Sequence, residues 1–265
     1  MARTFGILNL TADSFSDGGR FLAPDDAVAQ AHALLAAGAD VLDLGAESTN
    51  PDGADVPPPE QVRRLSPLIV RLLTQGVELS VDSWRPEVMR AVLPLGVRWL
   101  NCVRGFREPG ALEVAADAPR DVRFVVMFAR GDDARARRDG DAHEVLAEVR
   151  AFFTERIAAF EQAGIARERL VLDPGMGFFL GPTAAPSLHV LRHLEALRAF
   201  ELPLMVSVSR KSVVGEVTGR PVALRGAGTI AAELWAARHG AAWIRTHDVA
   251  AFRDAFAVER AIANA

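Results

Sequence analysis

The sequence RLVLDPGMGFFL, from Arg169 to Leu180, decides the fold of this chain. Its apolar run Leu170–Leu172 is typical of a strand that is buried on both faces. Asp173 stands where that strand must end, because Pro174 has no N–H to give to a central ladder. Parallel α/β proteins bind ligands at this end of their strands. Asp173 is therefore a candidate ligand-binding acid; the alternative is a turn-forming Asp that bonds its own backbone.

Similar apolar runs alternate with stretches of helical period along the whole chain. The predicted strands are Phe5–Asn9, Val41–Leu44, Leu79–Val81, Trp99–Asn101, Phe124–Met127, Leu170–Leu172, Leu204–Val206 and Trp243–Thr246. The predicted helices are Asp25–Ala37, Pro58–Thr74, Pro86–Leu93, His143–Ala163, Ser187–Ala199, Thr229–Arg238 and Ala250–Ile262. About eight β–α alternations in roughly 250 residues favour a closed (β/α)8 TIM barrel over an open sheet. We predict an α/β fold in which residues 1–265 form one domain.

Composition narrows the class of protein. The chain has 265 residues, of which 50% are apolar and 24% charged, and this is enough for one large core. A net charge of -4 argues against a nucleic-acid partner. We find neither an apolar run near the roughly 20 residues of a membrane span nor a signal peptide, and so expect a cytoplasmic protein that does not bind membranes. The single cysteine, Cys102, is expected to be a small core residue.

Polar or charged residues follow almost every predicted strand. They are Asn9, Asp43, Asp82, Asn101, Asp173, Lys211 within Ser209–Ser212, Arg245 and His247. Because the carboxyl ends of all barrel strands meet at one mouth, these residues are expected to form one site. Turn and cap residues alone would supply only a few of them.

Some of these residues suit a heterocyclic ligand. Asp82 and Asp173 can accept paired N–H bonds from the amidine-like edge of a heterocycle. Lys211 can donate to a carbonyl or a ring nitrogen. The alternative for Lys211 is a solvated basic turn, which its position after a buried strand disfavours.

Other residues suit a phosphate. Arg245 and His247 on the last strand become neighbours of Asn9 on the first strand once the barrel closes, and barrels often hold a phosphate there. The polar loop Thr11–Phe21 is expected to be a mobile lid over the mouth. The charged run Gly131–Asp141 is expected to be solvated. The sequence has no P-loop, dinucleotide fingerprint or zinc-protease motif.

Several motifs resemble, in order and over nearly the whole chain, those of the dihydropteroate synthase family. They are GILNLTADSFSDGG at Gly6–Gly19, DLGAEST at Asp43–Thr49, SVDS at Ser80–Ser83, LDPGMGF at Leu172–Phe178, SRKS at Ser209–Ser212 and RTHD at Arg245–Asp248. The resemblance implies a barrel enzyme of folate biosynthesis. Such an enzyme joins 6-hydroxymethyl-7,8-dihydropterin pyrophosphate to p-aminobenzoate and releases pyrophosphate.

The resemblance also implies a role for each candidate residue. The implied pterin-binding residues are Asp82, Asn101, Asp173 and Lys211. The implied pyrophosphate-binding residues are Asn9, Arg245 and His247, with Asn9 a ligand of a Mg2+ cofactor. The residues expected around p-aminobenzoate are Thr49, Phe178, Phe179, Lys211 and Ser212. The expected catalytic residues are Asp43, Asp82, Lys211, Arg245 and His247, of which the acids stabilise positive charge on the pterin methylene.

Five positions depart from the usual pattern of that family. Asn50, Cys102 and Phe128 replace an Arg, an Asp and a His, and Phe179-Leu180 replaces Gly-Lys. The region around Phe179 resembles the sulfonamide-resistance type of dihydropteroate synthase. Bulk beside the p-aminobenzoate site can exclude a tetrahedral sulfonyl group by steric clash, which predicts a sulfonamide-insensitive enzyme. Cys102 and Phe128 are not explained in this way.

Two alternatives to an active synthase stay open. The replaced residues are compatible with an impaired or non-catalytic pterin-binding paralogue. A methyl-transferring barrel of the same superfamily is the other alternative, but it has no need of Arg245 and His247.

The last two helices suggest a partner surface. Trp235, Phe252 and Phe256 either pack on the barrel or form a two-fold contact between two copies of the chain. The family resemblance favours the homodimer.

Overall fold

A computed structural model describes residues 2–10, 24–49, 53–131 and 140–265. In it, eight parallel strands close into a barrel in sequence order. The strands are β1 (Arg3–Asn9), β2 (Val41–Gly45), β3 (Leu79–Asp82), β4 (Trp99–Cys102), β5 (Arg123–Met127), β6 (Leu170–Asp173), β7 (Leu204–Val206) and β8 (Ala241–Thr246). Pairing of β1 with both β2 and β8 closes the sheet. The predicted (β/α)8 barrel is confirmed.

Helices alternate with the strands and cover the outside of the barrel. They are α1 (Pro24–Ala36), α2 (Pro58–Leu73), α3 (Pro86–Val92), α4 (Ala111–Asp117), α5 (Val145–Gln162), α6 (Ala184–Arg192), α7 (Ser212–Thr218), α8 (Gly226–Arg238) and α9 (Val249–Ala263). The helix α2 shows why they pack there: Leu65, Ile69 and Leu72 recur at helical spacing and are fully buried against the sheet.

A small apolar cluster fills the amino-terminal end of the barrel interior. Seven strands each contribute one member: Phe5, Val41, Trp99, Val125, Val171, Met205 and Trp243. The rings of Phe5, Trp99 and Trp243 meet edge to face, with centroids 5.0 to 5.1 Å apart. This end of the barrel is therefore closed by packing, and a ligand site must lie at the other end.

Three helix predictions differ from the structure. The helices α4 and α7 were not expected, because a helix of 7 residues is too short to show a helical period. The predicted helix Ser187–Ala199 is two elements, since the chain leaves the α conformation at His193 (φ -111°) and continues as a 3-10 helix over Leu194–Phe200.

Other expectations concern single features. Cys102 is buried in the core, as predicted. No helix in the described part of the chain is long and apolar enough to span a membrane. The predicted lid Thr11–Phe21 lies outside the described residues, as do Asn50 and residues 132–139 of the charged run.

Candidate active site

The strands position the site by a simple rule. Successive residues of a strand point to opposite faces, so a residue two positions beyond the apolar cluster points into the same barrel interior, nearer its mouth. The resulting pairs are Val41 and Asp43, Trp99 and Asn101, Val171 and Asp173, Met205 and Ser207, and Trp243 and Arg245. Two residues along each of these strands, apolar packing gives way to hydrogen-bonding and charged groups.

Arg245 is at the centre of these groups. Its Nε donates to Asp43 Oδ2 at 2.5 Å, and its Nη2 donates to Asp82 Oδ2 at 2.7 Å. Asn101 Nδ2 donates to the same Asp43 oxygen at 3.1 Å. Burial lowers the pKa of Arg245, but the two carboxylates outweigh burial and raise it. The guanidinium is therefore a permanent cation, paired with two acids that the sequence did not link to it.

Asp43 is fully buried under Arg245 and Asn101. Its second oxygen, Oδ1, has no hydrogen-bond partner among the described residues. A buried carboxylate in this state is held mainly by its bond to the guanidinium.

The pKa of the Asp82 carboxyl lies close to neutrality. Burial raises its pKa to about 7, the neighbouring carboxylates of Asp43 and Asp173 add to the rise, and Arg245 opposes it. Its side chain keeps 21% of its surface exposed, so a ligand can reach it. At neutral pH this carboxyl can either accept or donate a hydrogen bond.

Asp173 both forms a turn and faces the site. Its Oδ1 accepts from Gly175 N and its Oδ2 from Ser207 Oγ, each at 2.8 Å. Burial raises the pKa of Asp173, against the opposing effect of Lys211 and of these two bonds. Gly175 has φ +72°, and a Cβ there would lie 2.3 Å from Phe128 O, so only glycine fits this turn.

Lys211 links two parts of the predicted site. Burial lowers its pKa to about 8, so the ammonium stays mainly protonated at neutral pH. Its Nζ lies 4.8 Å from the ring centroid of Phe179, which in turn lies 4.1 Å from the ring of Phe178. Ser212 is the first residue of α7. It lies close to Gly177, since a Cβ on that glycine would be 3.0 Å from Ser212 Oγ.

His247 is a neutral group in this site. Ser209 Oγ lies 2.9 Å from its Nδ1 and also accepts from its backbone N at 3.2 Å. Burial lowers the pKa of His247 to about 3, and the charges of Arg210, Arg245 and Lys211 lower it too. The imidazole can therefore donate one N–H to an anion, but it carries no charge of its own at neutral pH.

The remaining predicted residues lie at the rim. Asn9 ends β1, and its Oδ1 is 3.3 Å from the position that a Cβ on Gly45 would take. Thr49 is half-buried in the loop after β2. In the parts of the chain that the structure describes, no three His, Cys, Asp or Glu side chains are grouped to hold a metal. The carboxamide oxygen of Asn9 fits only a metal that the ligand and water help to coordinate.

Two polar residues near the site were missed from the sequence. Ser207, the partner of Asp173, follows the same two-residue rule as its neighbours. Glu233 on α8 is fully buried, and burial raises its pKa to about 8 against the opposing effect of the Thr246 side chain on β8. Glu233 is the single charged residue between Gly226 and Ala237, and this isolated charge in an apolar helix is the sequence signal that could have identified it.

Comparisons with known proteins agree with this geometry. Residues 5–247 match the family described as pterin binding enzyme. The chain is 48% identical to the dihydropteroate synthase type-2 of Escherichia coli, over 97% of this chain and 95% of that protein.

Solved structures give the same result. The dihydropteroate synthase of Xanthomonas albilineans with 4-aminobenzoic acid has a TM-score of 0.90 at 44% identity, covering 100% of this chain and 94% of that chain. The Xanthomonas albilineans dihydropteroate synthase in complex with 7,8-dihydropteroate has a TM-score of 0.85 at 42% identity, covering 100% of this chain and 94% of that chain. The chain belongs to the dihydropteroate synthases, within the family of pterin-binding enzymes.

Proposed function

We propose that this dihydropteroate synthase binds the pterin pyrophosphate at the barrel mouth and joins it there to p-aminobenzoate, with release of pyrophosphate. One observation carries the proposal: charged side chains of both signs gather in one end of the barrel, namely Asp43, Asp82, Asp173, Lys211 and Arg245. Burying so many charges costs stability, and clusters of buried charges with shifted pKa values are typical of sites that act on a ligand. The p-aminobenzoate and dihydropteroate complexes of similar proteins support this choice of substrates.

The pterin is held by the groups around Asp173. Each oxygen of Asp173 accepts one bond within the protein, which leaves lone pairs for the paired N–H groups of the pterin. Lys211 donates to the pterin carbonyl or a ring nitrogen, and Asn101 and Asp82 complete the hydrogen-bonding edge. A carboxyl with a pKa near neutrality, such as that of Asp82, suits a ring whose charge changes during the reaction.

The pyrophosphate is held by Arg245 and His247. Its arrival draws the guanidinium of Arg245 away from Asp82, which frees that acid to face the cationic methylene of the pterin. Asp43 has no exposed surface and keeps its bond to Arg245, so we assign it the positioning of Arg245 and Asn101 and not contact with the pterin. His247 donates a neutral N–H to the leaving group.

A Mg2+ ion fits this arrangement as a partner of the substrate. The carboxamide oxygen of Asn9 would be its protein ligand, with phosphate oxygens and water completing the coordination. When bound, Mg2+ would supply Lewis-acid stabilisation of the charge on pyrophosphate.

The chemical step needs little base catalysis. The neutral arylamine nitrogen attacks the pterin methylene, a C–N bond forms, and the C–O bond to pyrophosphate breaks with its electron pair leaving on the phosphate oxygen. The nitrogen then loses a proton to solvent or to Asp82. Most of the rate comes from positioning the amine against the methylene, and from stabilising the leaving group.

The decisive assay measures pyrophosphate released by the purified chain from the pterin substrate and p-aminobenzoate. We expect turnover that depends on both substrates and on Mg2+. A soluble, folded chain that gives no turnover and does not restore growth of a strain lacking its own synthase would favour the non-catalytic paralogue. Release of dihydropteroate without pyrophosphate would contradict the assigned reaction.

Sulfonamide insensitivity is the finer part of the proposal. Its support is the position of Phe179, which is almost fully buried beside Lys211, with its ring tilted by 37° against the ring of Phe178. This ring adds bulk where a tetrahedral sulfonyl group would have to sit. Sulfamethoxazole is expected to inhibit the native chain weakly and Phe179→Ala strongly. Strong inhibition of the native chain would refute this part.

A homodimer that works in the cytoplasm completes the proposal. Exposed apolar side chains on α8 and α9 support a second copy, with Trp235 44% exposed and Ile262 73% exposed. Phe252 cannot contribute to a contact between two copies, because its side chain is fully buried within one chain. Its ring stacks on the ring of Phe256, with the centroids 5.5 Å apart. Sedimentation as a monomer at micromolar concentration would refute the dimer.

A further inference from the structure

Arg130 is a buried cation that the proposed reaction does not use. It lies three residues beyond β5, and only 5% of its surface is exposed. Its Nε and Nη2 donate to the two oxygens of Glu148 on α5, at 2.6 and 2.7 Å. Such a parallel, two-point pair fixes the plane of a guanidinium.

The other bonds of Arg130 reach the segment Phe178–Leu180. Its backbone N donates to Phe179 O at 2.8 Å, and its Nη1 donates to Leu180 O at 3.0 Å. Two consecutive carbonyls that follow the Phe179 side chain are therefore held by one residue.

The surroundings of Arg130 leave little freedom. Its Nη2 also donates to Asp141 O at 2.8 Å, so four of the five guanidinium N–H groups have partners. A Cβ on Gly140 would lie 2.7 Å from the guanidinium carbon, which shows how closely the backbone approaches there. A buried guanidinium with this many partners is an arrangement in which losing one partner is costly.

We propose that Arg130, held by Glu148, is a specificity-determining positioning residue that fixes Phe178–Leu180 so that Phe179 keeps its place beside Lys211. The inference rests on the proposed function, in which Phe179 limits the size of the p-aminobenzoate subsite. Arg130 itself touches neither substrate. It acts through the peptide groups on the carboxyl side of Phe179, which set the direction of that ring.

The test compares two ligands that differ at the group facing Phe179. Dissociation constants for p-aminobenzoate and for sulfamethoxazole are measured by calorimetry, in the presence of pyrophosphate and Mg2+, for the native chain, Arg130→Met and Glu148→Gln. Methionine keeps the unbranched apolar part of the side chain, to about the position of Nε, and removes the guanidinium with its hydrogen bonds. In Arg130→Met the preference for p-aminobenzoate over sulfamethoxazole is expected to fall at least about tenfold. Glu148→Gln is expected to lower this preference as well, but by a smaller factor.

The matched control is Arg107→Met. Arg107 pairs with Glu155 of the same helix α5 at 2.9 Å, but it is exposed and has no bond to Phe178–Leu180. We expect this variant to keep the native preference. If Arg130→Met fails to fold, Glu148→Gln and Arg130→Lys carry the test.

Three results would overturn the inference. They are an unchanged preference in folded Arg130→Met and Glu148→Gln, an equal loss of preference in Arg107→Met, and a native chain that binds neither ligand. Because these are equilibrium constants, they are measured whether or not the chain turns over. Absence of pyrophosphate release from a native chain that shows the preference would refute the proposed function alone.

Discussion

The two ends of the barrel interior are built from the same strands but by opposite rules. At the amino-terminal end, the apolar rings of Phe5, Trp99 and Trp243 are packed edge to face. At the carboxyl end, two residues further along β8, Arg245 is paired with Asp43 and Asp82. The first end stabilises the fold because it removes apolar surface from water. The second end lowers the stability of the fold because it buries charged groups.

This difference shows how a parallel barrel separates folding from chemistry. Because the side-chain period of a strand is two residues, one strand can give Trp243 to the closed end and Arg245 to the open end without changing its path. Substitutions at the closed end should therefore alter stability with little effect on the reaction. Substitutions at the mouth should do the reverse, and four measurements test the contrast.

The largest effect is expected from Trp99→Ala at the closed end. Loss of this ring leaves a cavity among Phe5 and Trp243, and the free energy of unfolding should fall by about 3–5 kcal/mol. Denaturation in urea, followed by far-UV circular dichroism, measures it. The kcat/KM of the remaining folded enzyme should stay near the native value. Trp235→Ala, which removes a partly exposed ring, is the control and should cost much less; a fall in kcat/KM without loss of stability would break the comparison.

Arg245→Met at the mouth should lower kcat/KM by about 10²–10³-fold, because it removes a donor to the leaving pyrophosphate. Steady-state pyrophosphate release measures it. The comparison is with Arg3→Met on β1, which removes a cation stacked 4.3 Å over Trp243 at the closed end and should leave kcat/KM unchanged. Equal losses in both variants would mean that the two ends are not independent.

Asp82→Asn should change how stability depends on pH. Folded Asp82 keeps its proton up to about pH 7, whereas an unfolded Asp releases it near its ordinary pKa of 3.8. Between these values the folded state binds more protons, so the contribution of Asp82 to stability falls as pH rises from about 4 to about 7. An asparagine side chain cannot titrate, so the variant does not lose stability in this way. As pH rises, the free energy of unfolding of the variant should increase relative to that of the native chain, by up to about 1 kcal/mol per pH unit. Parallel curves over this pH range would contradict the raised pKa.

The smallest effect is expected from Cys102→Ser, next to Asn101 on β4. Cys102 points away from the barrel interior, and its Sγ accepts from Phe106 N at 3.3 Å. Burial raises the pKa of this thiol to about 12, so it is neither a nucleophile nor a ligand at neutral pH. The substitution should cost about 1 kcal/mol of stability and leave kcat/KM unchanged. A large change in kcat/KM would place Cys102 in the chemistry.

Most of the fold was predictable because the strands of the barrel are largely apolar. Each predicted strand lies within two residues of the observed one, since runs such as Leu170–Leu172 have no polar residue to blur their limits. Short helices such as α7 were missed because a few residues carry no measurable period. The change from α-helix to 3-10 helix at His193 depends on the local backbone conformation, which the apolar pattern does not encode.

The membership of the site was more predictable than its pairing. A rule that takes the residue at each strand end found Asp43, Asp82 and Arg245, but it could not pair them. Asp43 and Arg245 are 202 residues apart in sequence, and their contact follows from the stagger of strands around the closed barrel. Arg130 was missed for another reason: it precedes a charged run that looks solvated, and its burial comes from tertiary contacts.

The aromatic contact at the closed end has a practical consequence. The chain contains no tyrosine and 4 tryptophans, so its near-ultraviolet emission comes from tryptophan. Trp99 and Trp243 come from β4 and β8, on opposite sides of the barrel, and their rings are 5.1 Å apart only while the ring of strands is complete. Coupling between these two indoles is therefore an intrinsic optical reporter of barrel closure that needs no added label.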